Sequence, residues 1–161
     1  MKKLPHEGLY TRLKPSSIHG VGVFAIAQIP KGTYVFPDDD EPIVWVDKKD
    51  VEHLPQAIKE FYEDFAIIKG DKYGSPRHFD ALTTSWYLNH SKSPNVAADR
   101  HYRFYALRDI NTGEELTADY ASYSDQPKSA NNRRNHATPP RKRVATNGSN
   151  RLAVGRRALS R

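Results

Sequence analysis

Short runs of β-branched and aromatic residues, one amphipathic helical stretch and no strand–helix alternation predict a mainly β domain with a single helix. Leu9-Tyr10-Thr11-Arg12-Leu13 alternates as a strand does, and Pro15-Ser16-Ser17 reads as the turn after it. Val21, Val23, Phe24, Ile26 and Ile29 make a second apolar stretch, which Pro30-Lys31-Gly32 ends with a turn. Thr33–Phe36 is expected as a short strand, followed by the exposed acidic loop Pro37–Pro42 and a buried strand over Ile43–Val46. The helix is expected over Leu54–Ile67, where Ile58, Phe61, Tyr62 and Phe65 recur at helical spacing and Pro55 sits in the first turn. Gly70, Gly74 and Pro76 then mark a loop. Asn95–Asp99 and Tyr102–Arg108 read as a hairpin, and Asn111-Thr112-Gly113 as a turn before a strand from Glu115 to Tyr120.

The chain's 161 residues are enough for one domain with a real core. It has no cysteine, which excludes a disulfide scaffold, a thiolate nucleophile and any cysteine-ligated metal; no metal site is expected. Its net charge of +6 averages two unlike pieces. Residues 126–161 hold ten Lys and Arg, no acid and no aromatic, so residues 1–125 carry 15 basic and 19 acidic groups, a net of −4. A strongly charged segment without large apolar groups is expected to be disordered, because nothing offsets its ordering entropy. No apolar run approaches the ~18–20 residues of a membrane span, and MKKLPHEGLY lacks the apolar core of a secretory signal. The expectation is an intracellular protein, cytoplasmic in a bacterium or nuclear in a eukaryote.

Three motifs stand out. Gly20-Val21-Gly22 offers backbone without side chains to a flat ligand, although such a pair also occurs at plain bulges. Asn89-His90-Ser91 with Pro94-Asn95 is a polar cluster entered through the apolar Trp86-Tyr87-Leu88, so its polar groups are partly buried and need partners. Gly113–Tyr120 reads equally as a turn leading into an edge strand.

Together, and in this order, Ser17–Ala25, Asn89-His90-Ser91 with Pro94-Asn95, and Gly113–Tyr120 resemble the SET domain of protein lysine methyltransferases. The resemblance spans residues 8–123, leaving 124–161 as a basic tail, and is to a compact member without cysteine-rich zinc segments. It implies the SET (β-clip) fold of several small curled sheets with one inserted helix, and a pseudoknot-like threading of the Asn89 and Tyr120 segments. It also implies S-adenosylmethionine as methyl donor. Residue by residue, it implies cofactor contacts at His19, Gly20, Val21, Gly22, Asn89 and His90, with Trp86 and Tyr87 walling the pocket. Tyr120 falls on the catalytic tyrosine and Tyr123 on the substrate side, whereas Ser91, Asn95 and Glu115 fall on structural positions.

The implied reaction moves a methyl group to the side-chain amine of a lysine in a protein or peptide, which must be neutral to react. Neutralising a free lysine at pH 7 costs about 4.6 kcal/mol, and a narrow apolar channel lowers that cost by desolvating the ammonium. No strong protein base is then needed. The acidic loop Asp38–Glu41 reads equally as a solvated turn and as an attractor of basic peptides. The tail reads as a solubilising extension, or as a source of non-specific nucleic-acid contact through Pro139–Arg143. A chain lacking its channel-closing segment could complete its site by homodimerising. The alternative to an enzyme is a SET-like module that binds basic peptides or nucleic acid without catalysis.

Overall fold

The computed structural model describes residues 4–125. The expected tail disorder and Pro139–Arg143 patch therefore lie outside the described residues. The larger of two sheets contains β1 (Thr11–Pro15), β2 (Val21–Ala25), β6 (Asn89–His90), β7 (Val96–Ala98), β8 (Phe104–Ala106) and β9 (Glu115–Ala118). The smaller contains β3 (Val44–Asp47), β4 (Ile67–Lys69) and β5 (Lys72–Ser75), in the order β3-β5-β4.

Strand β9 organises the larger sheet. It runs antiparallel to β2, with Val23 opposite Leu116. It also runs parallel to β6, beyond β2 on the same edge, and to β7 on its other edge, with Asn89 opposite Thr117 and Val96 opposite Ala118. The edge-strand reading of Gly113–Tyr120 is thus overturned: Leu116, Thr117 and Ala118 are all buried because both edges of β9 are paired. The core gathers Val23, Ala25, Ile29, Val35, Leu88, Val96, Ile110 and Leu116 around this strand. Full burial of each of the larger aliphatic side chains contributes roughly 1.5–3 kcal/mol.

Asn95, 2% exposed, fixes the parallel junction. Its Oδ1 accepts from Thr117 N at 2.8 Å, and its Nδ2 donates to Glu115 O at 2.8 Å and Glu114 Oε1 at 3.1 Å. Its main chain adds two bonds, donating to Thr117 O and accepting from Leu107 N.

Elsewhere the structure amends local expectations. The predicted hairpin forms as β7–β8. Thr33–Phe36 is not a strand: Tyr34 makes a single bridge to Tyr105, and Val35 N donates to Phe104 O. The expected loop around Gly70 and Gly74 is instead the hairpin β4–β5. Ile43–Val46 is not buried, since β3 is a sheet edge and Val44 and Trp45 are two-fifths exposed. The helix is shorter than predicted. Pro55 takes extended ψ and caps α2 (Gln56–Phe65), and Ile67 leaves to pair with Gly74. A further helical turn, α1 (Lys48–Val51), precedes it. Helix α2 has no fully buried residue and is held by rings: Tyr62 meets Phe79 at 4.9 Å and Tyr73 at 5.4 Å, and Phe65 meets Tyr87 at 5.7 Å. None of the described helices is long and apolar enough to cross a membrane.

Two outcomes follow from Asn95 and its neighbour Glu114. Asn95→Ala orphans a buried amide and carbonyl, so urea denaturation should show a loss of roughly 2–4 kcal/mol. Arg108 hydrogen-bonds Glu114 and, against the opposing effect of burial, holds its carboxyl down to about 2, with Asn111 N and Asn95 adding to the hold. A carboxyl depressed on folding stabilises the protein above its ordinary pKa of 4.5. That contribution is lost as pH falls from there through about 2. Acid titrations of stability should flatten in this window in Glu114→Gln relative to wild type.

Candidate functional site

The first feature of the site is a tie between distant segments. Glu115 leaves β9 toward β1 and β2, and Ser16 Oγ donates to its carboxylate at 2.8 and 3.0 Å. Asn89 Nδ2 reaches Glu115 Oε1 at 2.9 Å, His19 O at 3.1 Å and Val21 O at 3.3 Å. The loop His19–Val21 is exposed, yet this one carboxamide fastens its backbone to the centre of the larger sheet. Ser16 Oγ also accepts from Ile18 N, so the loop is fixed at both ends.

Gly22 is there for space. A side-chain carbon on it would stand 2.1 Å from Glu115 Oε1 and 3.0 Å from Ser16 Cβ. Nothing lies within 4 Å of the same position on Gly20, whose backbone is open to solvent.

Next to the tie, the aligned strands β6 and β9 lead into a turn at Tyr120–Ser122. The Tyr120 hydroxyl donates to Leu88 O at 2.5 Å, and Tyr120 N donates to His90 Nδ1 at 3.3 Å. The rings of His90 and Tyr120 lie 5.2 Å apart. Tyr123 stands edge-on to Tyr120 at 6.0 Å and to Phe104 at 5.5 Å. The chain then clips onto the smaller sheet. Ser124, buried, accepts from Ile68 N at 2.9 Å, and Asp125 N donates to Ile68 O at 2.7 Å. Both residues therefore pack with the domain.

These elements enclose a cavity of about 510 Å³, with Trp86, Tyr120 and Tyr123 in its walls beside Leu88, Phe104 and Phe65. Asp39, Asp40, Glu41 and Asp64 also line it, and all but Asp39 are exposed.

The expected site residues fall into three groups. Trp86, Tyr120 and Tyr123 line the cavity. His19, Gly20, Val21, Gly22 and Asn89 meet at the Glu115 tie, and His90 bridges the two groups through its contacts with Tyr120. Tyr87 faces the core and Phe65 rather than the cavity.

Sequence reasoning missed Trp45 and Tyr102, which form part of the cavity wall with ring centres 6.3 Å apart. Tyr102 has a positive φ of 61° in a turn wired by Asp99. Asp99 Oδ1 accepts from His101 N and Arg103 N, and Oδ2 from the Arg103 guanidinium at 2.8 Å. Burial raises the Asp99 pKa, but these donors together outweigh it and hold the carboxyl down to about 2. One sequence signal for Trp45 existed: it faces Gly74 across the β3–β5 ladder, and any side chain there would stand 2.9 Å from the indole.

Comparison with known proteins decides the family, since the SET domain family matches residues 20–121. The chain belongs to the SET domain family. A curated relative, the Schizosaccharomyces pombe "Histone-lysine N-methyltransferase, H3 lysine-4 specific", is 32% identical over 119 residues. That match takes in 66% of this chain but only 12% of the relative. Among solved structures, a chain of a humanized Chaetomium thermophilum Polycomb Repressive Complex 2 bound to the inhibitor GSK126 aligns with a TM-score of 0.51 at 21% identity. It covers 73% of this chain and 16% of that one, and it supports the SET fold. Mainly β architecture in small sheets with few helices is that fold, with two α-helices where one was expected.

The close approach at Gly22 makes a sharp test of the tie. Gly22→Ala should displace the Glu115 carboxylate from Ser16 and Asn89 and cost roughly 2–3 kcal/mol in urea denaturation. In a double-mutant cycle the penalty should shrink markedly on a Glu115→Ala background.

Proposed function

We propose that this SET domain is an S-adenosylmethionine-dependent methyltransferase acting on the side-chain amine of lysine in a protein substrate. The observation that carries the reading is Tyr120. Its half-buried hydroxyl, bonded to Leu88 O, sits in the wall of an aromatic cavity beside Tyr123.

The residues suit the donor that the family implies. The His19–Val21 backbone is exposed, held by Asn89, and uncovered at Gly20. The turn Thr84–Tyr87, carrying Trp86, packs against β2 beside that loop. In this reading His19, Gly20, Val21, Trp86 and His90 hold the donor, while Asn89 and Gly22 act one step back by setting the loop. S-adenosylmethionine supplies an electrophilic methyl group on a sulfonium.

The chain's own residues do the rest. Trp86, Phe104, Tyr120 and Tyr123 exclude water from an entering lysine and disfavour its ammonium form. Tyr120 Oη and the Leu88 carbonyl provide the polar pair that orients the amine nitrogen. The His90 ring and the β6–β9 pairing fix where Tyr120 stands. Catalysis by such a site is positioning and electrostatics, without a protein base. The relative's printed activity toward histone H3 lysine 4 makes a basic, lysine-bearing protein the first substrate to try.

The test is transfer of labelled methyl from S-adenosylmethionine to histones and other basic proteins. Tyr120→Phe should lower kcat by roughly 100-fold or more, in the range seen when one positioned transition-state donor is removed. Calorimetric affinity for S-adenosylmethionine should change less than about twofold, since that hydroxyl orients the acceptor. Wild-type chain that binds no donor and labels nothing would refute the reading.

A further inference from the structure

We infer that Trp45 and Tyr102 form a specificity contact at the open end of the cavity, taking an apolar side chain that flanks the target lysine of the substrate. That the side chain flanks a target lysine rests on the methyltransferase reading; that the pair takes an apolar group rests on its geometry.

The backbone of Tyr102 is the first observation. Its φ of 61° is the only positive value outside glycine among the described residues. A bulky ring is poorly suited to that conformation, which glycine or asparagine adopts more readily. Strain of this kind persists where the surroundings over-determine it, and it gathers at sites that hold ligands. The turn here is over-determined. Tyr102 N donates to Asp99 O at 3.0 Å, and Asp99 N donates to Arg103 O at 2.9 Å. The Asp99 carboxylate accepts from His101 N, Arg103 N and the Arg103 guanidinium, and from the Tyr34 hydroxyl at 3.3 Å.

Trp45 is placed by a second unfavourable choice. Its indole lies over Gly74, where a side-chain carbon would stand 2.9 Å from two ring atoms, so β5 carries a glycine inside a strand. Two sheets thus each accept a local penalty, and the result is two rings 6.3 Å apart and tilted by 56°. The pairing does not bury them. Trp45 stays 39% exposed and Tyr102 half-buried, whereas Leu88 in the same cavity is 3% exposed. The pair therefore stands at the open end and adds little to the core.

What it offers a ligand is apolar surface. Arg103, the cation next to Tyr102, is committed to the Tyr34 ring at 4.7 Å and to Asp99 at 2.8 Å. Further in, Tyr120 meets Tyr123 at 6.0 Å and Tyr123 meets Phe104 at 5.5 Å, and Tyr102 precedes Phe104 on the same wall. A lysine that reaches Tyr120 along this wall leaves its sequence neighbours at the open end, since an extended peptide advances only about 3.3–3.6 Å per residue. A leucine-sized group there removes both ring faces from water.

The experiment gives the full chain two short Gly-Ser peptides with one central lysine, flanked on both sides by leucine in one and by glycine in the other. Binding is followed by tryptophan emission, because Trp45 and Trp86 both line the cavity. The leucine peptide should bind about tenfold more tightly, which partial burial of one leucine side chain supplies. Tyr102→Asn, which suits the backbone and removes the ring, should bind the two peptides within about twofold of each other, and Tyr102→Phe should keep the preference. In methyl transfer, Tyr102→Asn should raise KM for the leucine peptide about tenfold and lower kcat less than about twofold. Its urea midpoint should be no lower than that of wild type. Wild type without a preference for leucine overturns the proposal, as does a preference that survives Tyr102→Asn. A clearly lower urea midpoint also overturns it, since the ring is then held for packing. Peptide binding needs no methyl transfer, so a chain that prefers leucine through Tyr102 but binds no donor and labels nothing would refute the previous reading and leave this contact standing.

Discussion

A single carboxylate joins the two ends of this fold. Glu115 binds Ser16, 99 positions earlier, and Asn89, 26 positions earlier, at the point where β9 passes β2. Through Asn89 the same group holds the backbone of His19 and Val21. Gly22 leaves room for the carboxylate, and β9 supplies its direction. The glycine-rich loop, the Asn-His-Ser motif and the C-terminal strand are three patches of sequence but one structural unit. Its energy is modest, since each bond contributes about 1 kcal/mol net; its effect is to fix geometry.

The cavity is built outward from that unit. The parallel β6–β9 pairing sets His90 beside Tyr120 and brings the Leu88 carbonyl under the Tyr120 hydroxyl. The smaller sheet then adds Trp45 and Ile67, and the β7–β8 turn adds Tyr102 in a left-handed conformation. Such a conformation is unfavourable for a bulky residue. The Asp99 side chain holds it in place with two backbone donors and a guanidinium. The polar groups thus lie on the rigid sheet, and much of the aromatic wall comes from turns and the smaller sheet.

Much of this was legible in the sequence because the informative residues carry their own chemistry. A buried Asn must find partners, and Asn89 and Asn95 both did, each inside the motif that flagged it. The turn at Asn111–Gly113 and the hairpin β7–β8 follow from local signals. What escaped depends on neighbours distant in sequence. A short apolar run does not say how many of its edges are paired, so β9 read as an edge and β3 as buried, and both were reversed. The Gly70 hairpin was hidden because Ile67-Ile68 also continues the helical period, until Pro55 and the pairing with Gly74 fix the boundaries of α2. The cavity-lining Trp45–Tyr102 pair spans two sheets and has no local signature.

The central place of β9 has a consequence for synthesis of the chain. Until residues 115–118 leave the ribosome, β2 lacks its inner partner and β6 has no partner strand at all. A nascent chain that stops short of Glu115 can form the β1–β2 and β7–β8 hairpins and the smaller sheet, but its core lacks the strand these pack around. Folding dominated by such late, long-range pairing is slow, and unpaired strand edges stay open to other chains while it waits. The last strand among the described residues is therefore the one that turns the earlier pieces into a domain.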